Sequence, residues 1–198
     1  MFEPPSASAD WTLHGIQLWL RPHIARQRGE PTARTVLGPA LGVEPSSLPI
    51  ERDECGRPHL RGTFESHDIG WSHSGDALLI ALGDTVELGV DVEHIRPRPR
   101  AMDIAQRFFH ADEADWLRVH EEAERDFAFF RLWCAKEAVL KAHGQGVSFG
   151  MHRLVFAERN GKLMLDRCDA ALGQAGDWTL DDWAPKPGYH AALAWRRR

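Results

Sequence analysis

The chain has little of what marks several broad classes. No run of about 18 apolar residues occurs, so nothing in it predicts a membrane-spanning helix. Three cysteines, Cys55, Cys134 and Cys168, are an odd number without CxxC spacing. That excludes a disulfide frame and a cysteine zinc site, and predicts reduced thiols in a cytoplasmic protein. Met1-Phe2-Glu3-Pro4-Pro5 has neither a basic start nor an apolar stretch, so no signal peptide is expected. Basic charge is also short. With 24 Lys and Arg against 29 Asp and Glu the net charge is −5, which argues against nucleic acid as a partner. What the chain does have is 43% hydrophobic residues over 198 positions, enough for one large or two small cores.

Residues 126–146 predict a central helix. No proline interrupts them, Ala, Leu, Glu and Lys favour helix, and Gly144 and Gly146 supply a stop. Phe127, Phe130, Leu132, Trp133, Val139 and Leu140 would bury much of its surface. Glu137 and Lys141 lie four apart and share a face with Trp133. By itself this pair reads as a surface ion pair of about 0.3–0.5 kcal/mol. A second stretch, Leu88-Gly89-Val90-Asp91-Val92-Glu93, reads as a strand end. Alternation sends Asp91 and Glu93 to one side and Val90 and Val92 to the other. That side is either an ordinary solvated edge or a place for a hard divalent cation, with Glu137 as a third oxygen ligand.

The remaining elements follow from pattern. Ile16, Leu18 and Leu20 predict a strand over 11–20, and a helix is expected over 32–42. Residues 43–70 read as loop with short strands. A hairpin turning at Gly75-Asp76 is expected over 69–83. Arg96-Pro97-Arg98-Pro99-Arg100 is extended and reads as a linker. Helices are expected over 101–108 and 111–123, then a hairpin around Asn160-Gly161 and two closing strands. Arg57 in a Gly-Arg-Pro turn is either an exposed turn residue or a phosphate ligand. His73 is either structural or a donor to phosphate. A Ser-His nucleophile is a poor reading, because adjacent residues on a strand face opposite ways.

Five motifs in order resemble those of the 4′-phosphopantetheinyl transferases. They are Gly56-Arg57-Pro58, Trp71-Ser72-His73-Ser74, Gly89-Val90-Asp91-Val92-Glu93, Arg107-Phe108-Phe109 with Glu113, and Trp133-Cys134-Ala135-Lys136-Glu137-Ala138-Val139-Leu140-Lys141. Length and the upstream motifs resemble the larger, two-lobed branch. The resemblance implies an α+β fold of two similar lobes, each a small antiparallel sheet packed with helices, with the active site between them. The lobes are expected at 1–96 and 97–198, in a monomer. It implies transfer of 4′-phosphopantetheine from coenzyme A to a serine of an apo carrier protein, with release of 3′,5′-ADP. Asp91, Glu93 and Glu137 would hold Mg²⁺, with Glu137 and Lys141 catalytic. Arg34, Arg57, Ser72, His73, Asp91, Lys136 and Lys141 would contact coenzyme A. The carrier would dock on Arg96, Arg98 and Arg100 or on apolar residues of the 111–123 helix. The rivals are a catalytically silent coenzyme A- or carrier-binding module and a Mg²⁺-dependent phosphohydrolase.

Overall fold

The strand expected over 11–20 is a hairpin. In the computed structural model, which describes residues 9–198, β1 (Trp11–Leu13) turns at His14 and Gly15 into β2 (Ile16–Pro22). Both turn residues are left-handed, with φ of 54° and 83°, the geometry that a tight two-residue hairpin needs. Helix α1 (Glu30–Ala40) starts two residues earlier than predicted. Pro31 sits in its first turn, where the missing N–H has no helical partner to lose. β3 (Ile50–Arg52) and β4 (Pro58–Leu60) pair across the Gly56-Arg57 turn. β5 (His67–Ser74) and β6 (Ala77–Asp84) form the hairpin read from the sequence. β6 is buried along Ala77–Gly83, because it lies between β2 and β5 in a sheet of order β1-β2-β6-β5.

β7 (Val86–His94) leaves that sheet. Along its whole length it pairs antiparallel with β11 (Tyr189–Arg197), which in turn pairs with β10 (Thr179–Trp183). The fold is α+β, with a four-stranded, a three-stranded and two two-stranded antiparallel sheets packed with helices. Residues 96–100 lie between β7 and α2 (Ala101–Phe108). A division at residue 96 therefore separates β7 in sequence from the sheet to which it is bonded. α3 (Ala111–Arg118) stops five residues short of its predicted end. α4 (Glu122–His143) begins four residues earlier than predicted and ends at Gly144, whose φ of 90° supplies the left-handed stop. The hairpin of β8 (Leu154–Arg159) and β9 (Lys162–Cys168) turns at Asn160-Gly161.

From Ala128 onward α4 buries side chains on most of its sides, as a helix running through a core does. Phe129, Phe130, Leu132, Ala135, Ala138, Val139, Leu140 and Ala142 are all buried. Phe127 is the exception and stays 46% exposed. Gly89 sets the distance between α4 and β7. A Cβ there would collide with the carbonyl oxygen of Ala138 and the amide of Ala142. Only glycine lets the helix rest directly on the acidic strand, and that contact brings Glu137 and Lys141 beside Asp91.

Candidate active site

Asp91 is 3% exposed. Its Oδ1 accepts from Ser72 Oγ at 2.6 Å and from Lys141 Nζ at 2.6 Å. Its Oδ2, also buried, has no hydrogen-bond partner among the described residues. Lys141 Nζ reaches Ser72 Oγ at 2.9 Å and lies 3.9 Å from Glu137 Oε2. One ammonium thus stands between carboxylates from a strand and a helix. Glu93 is on the same side of β7, and its Oε2 accepts from Ser74 Oγ at 2.7 Å.

The electrostatics follow from this crowding. Burial pushes the Glu137 carboxyl up to about 7; Lys141 opposes the shift, while Asp91 and Glu93 add to it. Burial and the neighbouring Asp91 also raise Glu93, against its hydrogen bond from Ser74. Burial works against the Lys141 charge, but Asp91 and Glu137 outweigh it and hold the ammonium above its ordinary value. Three carboxylates stand around a single ammonium, and the proton affinity of Glu93 and Glu137 is raised there.

Among the described residues, no three His, Cys, Asp or Glu side chains already converge at metal-ligand spacing. The donor set nevertheless fits a hard divalent cation. It is all oxygen, its members repel, and Asp91 Oδ2 is a buried acceptor with nothing to accept. A cleft of about 210 Å³ opens beside it, lined by Arg52, Arg57, Trp71, Gly89, Lys141 and Gly144. Positive side chains along one wall of a small cleft suit a phosphate-bearing ligand.

The family model of the 4′-phosphopantetheinyl transferase superfamily matches residues 87–194. That span runs from β7 into β11 and contains Asp91, Glu93, Glu137 and Lys141. The chain is 35% identical over 168 residues to 4′-phosphopantetheinyl transferase HetI of Nostoc sp., covering 84% of this chain and 68% of the relative. This protein belongs to the 4′-phosphopantetheinyl transferase superfamily. It is 27% identical to the transferase Sfp of Bacillus subtilis, covering 83% of this chain and 70% of that one. Among solved structures, a Plasmodium yoelii acyl carrier protein synthase with ADP bound aligns at 19% identity and a TM-score of 0.42. The alignment covers 56% of this chain and 93% of that one. Its relatives make this chain an enzyme, a phosphopantetheinyl transferase.

The transferase's other anticipated contacts divide. Ser72 faces Asp91 and Lys141. Arg57 lines the cleft, but its guanidinium is already engaged. Nη2 donates to Asp68 at 2.5 Å and to the Leu88 carbonyl at 3.3 Å, and Nη1 donates to the Ala142 carbonyl. It ties the β3–β4 turn to the end of α4. His73 is exposed, on the opposite face of β5 from Ser72, and its ring stacks on His23 at 4.2 Å. Partial burial, with the nearby His23 and Lys141, keeps its imidazole below the ordinary value. His73 is therefore mostly neutral at pH 7.

Lys136 and Arg34 point away from the Asp91–Lys141 group altogether. Lys136 is fully buried on the far side of α4. Its Nζ pairs with Glu113 Oε2 at 2.7 Å and donates to the carbonyls of Met151, at 2.9 Å, and Leu154. The 100° step between adjacent helix residues carries it into the core while Glu137 faces Lys141 and the acidic strand. Arg34 is turned away too. It pairs with Glu30 at 3.0 Å and donates to the Leu48 carbonyl at 2.7 Å, bracing α1 against the following loop. Arg98 is not a solvated linker charge either, since its guanidinium lies 5.4–5.7 Å from the rings of Phe129, Phe130 and Trp133.

Sequence reasoning missed Asp68, Arg52 and His23. Asp68 is 1% exposed and holds both Arg57 and the Leu88 amide. Burial raises its carboxyl in spite of Arg57. Its position in an apolar strand, His67-Asp68-Ile69, was the available signal, since a carboxylate in such a strand needs a cation. Arg52 lies 5.3 Å over the Trp71 ring at the cleft, a pairing with no local signature.

Proposed function

We propose that this enzyme, acting as a monomer, transfers the 4′-phosphopantetheine arm of coenzyme A to a serine of an apo acyl or peptidyl carrier protein. The reaction depends on Mg²⁺ and releases 3′,5′-ADP. The observation that carries the reading is the Asp91–Lys141–Glu137 group, with its unpartnered Asp91 oxygen, whose lysine also lines an arginine-bearing cleft.

The serine oxygen of the carrier forms a bond to the phosphorus that bears pantetheine. The bond from that phosphorus to the bridging oxygen of 3′,5′-ADP breaks. Glu137, with a carboxyl near 7, takes the serine proton. Lys141, already beside Asp91, places positive charge where the departing 5′-phosphate of 3′,5′-ADP gathers negative charge. Arg52 and Arg57 add positive potential along the cleft that takes the nucleotide end. Bound Mg²⁺, held by Asp91, Glu93 and Glu137, would neutralise charge on the pyrophosphate. The nucleophile belongs to the carrier, so the enzyme supplies no serine or cysteine of its own.

The test is transfer itself. An apo carrier incubated with coenzyme A, Mg²⁺ and the enzyme gains one phosphopantetheine on its serine, read by intact-protein mass. Glu137→Gln abolishes the gain while the circular dichroism spectrum is unchanged. Release of 3′,5′-ADP without a carrier would replace the reading with a phosphohydrolase. Coenzyme A binding without transfer to any of a panel of carriers would replace it with a silent binding module.

A further inference from the structure

β5 and β7 run side by side in the same direction, yet they belong to different sheets, of orders β1-β2-β6-β5 and β10-β11-β7. No backbone ladder joins them. Side chains do that work. Asp68 Oδ2 accepts from the Leu88 amide at 2.8 Å, Ser72 Oγ donates to Asp91 Oδ1 at 2.6 Å, and Ser74 Oγ donates to Glu93 Oε2 at 2.7 Å. The pairs step along both strands together, by four and then two residues on β5 and by three and then two on β7.

Ser74 has a further contact that fixes its polarity. The His94 amide donates to Ser74 Oγ at 3.2 Å. That N–H occupies a lone pair of the hydroxyl, so the single hydroxyl proton is committed to Glu93. Ser74 is therefore an oriented donor, held by the strand that carries its acceptor. Without it, the glutamate side chain on the free edge of β7 would sample several rotamers. Ser72 does the same for Asp91, but it also receives Lys141. Ser74 has no such second charged partner among the described residues, so its effect can be isolated.

Resting on the cation reading above, we infer that Ser74 is a positioning residue. It ties one oxygen of Glu93 and leaves the other for the divalent cation, as Ser72 does for Asp91. The Trp71-Ser72-His73-Ser74 segment thus organises the metal carboxylates through alternate residues on one face of β5.

The probe is Mn²⁺, titrated into the full chain and followed by its paramagnetic resonance signal, with and without coenzyme A. Ser74→Ala weakens Mn²⁺ binding roughly 10–100-fold, the usual loss when a ligand's supporting hydrogen bond is removed. Coenzyme A affinity measured in chelator stays within about twofold of wild type. Ser74→Thr keeps the hydroxyl and restores Mn²⁺ affinity. Ser74→Val matches threonine in volume but lacks the donor, and repeats the loss if the alanine variant has a lowered Tm. Wild-type Mn²⁺ affinity in Ser74→Ala and Ser74→Val, with affinity lost in Glu93→Gln, overturns the positioning role and leaves the cation site standing. Equal Mn²⁺ binding by wild type and Glu93→Gln overturns the cation reading itself, and the role of Ser74 with it.

Discussion

Lys136 and Lys141 occupy the same helix, five residues apart, and meet opposite surroundings. Lys136 is sealed in the core against Glu113 and two carbonyls, and burial, opposed by Glu113, draws its ammonium down to about 8. Lys141 stands at the cleft with 34% of its side chain exposed, and Asp91 and Glu137 hold its ammonium up. Each has a carboxylate at about the same distance, 2.7 Å for Lys136 and 2.6 Å for Lys141. Distance therefore does not separate the two roles. What separates them is how many carboxylates face the ammonium, and whether water and a ligand can reach it. The buried pair balances one charge with one charge and fastens α4 to α3 and β8. The cleft group leaves negative charge uncompensated and an acceptor without a donor.

The largest effect that would sharpen this contrast is on the buried side. Glu113→Ala strands an ammonium in the core and is expected to cost about 3–5 kcal/mol in denaturant unfolding. Lys136→Met combined with Glu113→Leu recovers most of that loss, since an apolar pair of similar volume needs no compensation. A mild Glu113→Ala would show that the pair is not sealed. On the cleft side, Lys141→Met is expected to lower transfer turnover about 10²–10³-fold. Its stability falls less than that of Glu113→Ala, because water enters the cleft to solvate Asp91. Equal unfolding penalties for the two variants would erase the distinction.

The smallest effect is a pH dependence. A carboxyl raised to about 7 is charged above that pH and protonated below it. Divalent-cation affinity in the free enzyme is thus flat above about pH 7, and falls by up to about tenfold per unit below it, as a proton must leave before the cation binds. Glu137→Gln removes the slope along with most of the affinity. A slope that survives in Glu137→Gln would move the titration to Glu93, which burial also raises.

The cleft side was the more legible in the sequence. Two-residue alternation put Asp91 and Glu93 together, and four-residue spacing put Glu137 and Lys141 together; in the structure Lys141 lies between Asp91 and Glu137, with Glu93 on the same side of β7 as Asp91. Those periods are local, so they survive whatever the rest of the chain does. Lys136 was misread because adjacency in sequence is divergence on a helix. Arg34 was misread because its partners, the carbonyls of Pro45 and Leu48, lie in irregular chain that no period describes. The first hairpin was hidden because His14-Gly15 is a weak turn signal, although the apolar alternation changes phase there, from Trp11 and Leu13 to Ile16, Leu18 and Leu20. The early start of α4 was hidden because Glu121 makes no side-chain cap. The α+β class and most strand positions were readable; the departure of β7 from its sequence neighbour to β11 was not, since nothing local names a partner half a chain away.

That partnership has a consequence for how the molecule is made. His94 pairs with Tyr189 and Val86 with Arg197, so the acidic strand emerges from the ribosome long before the strand that will flank it. Until then β7 has its contacts with β5 and α4 but lacks the one strand that pairs with it along its whole length. An mRNA truncated upstream of codon 189 would yield a polypeptide with every signature residue but without the strand that flanks the acidic one.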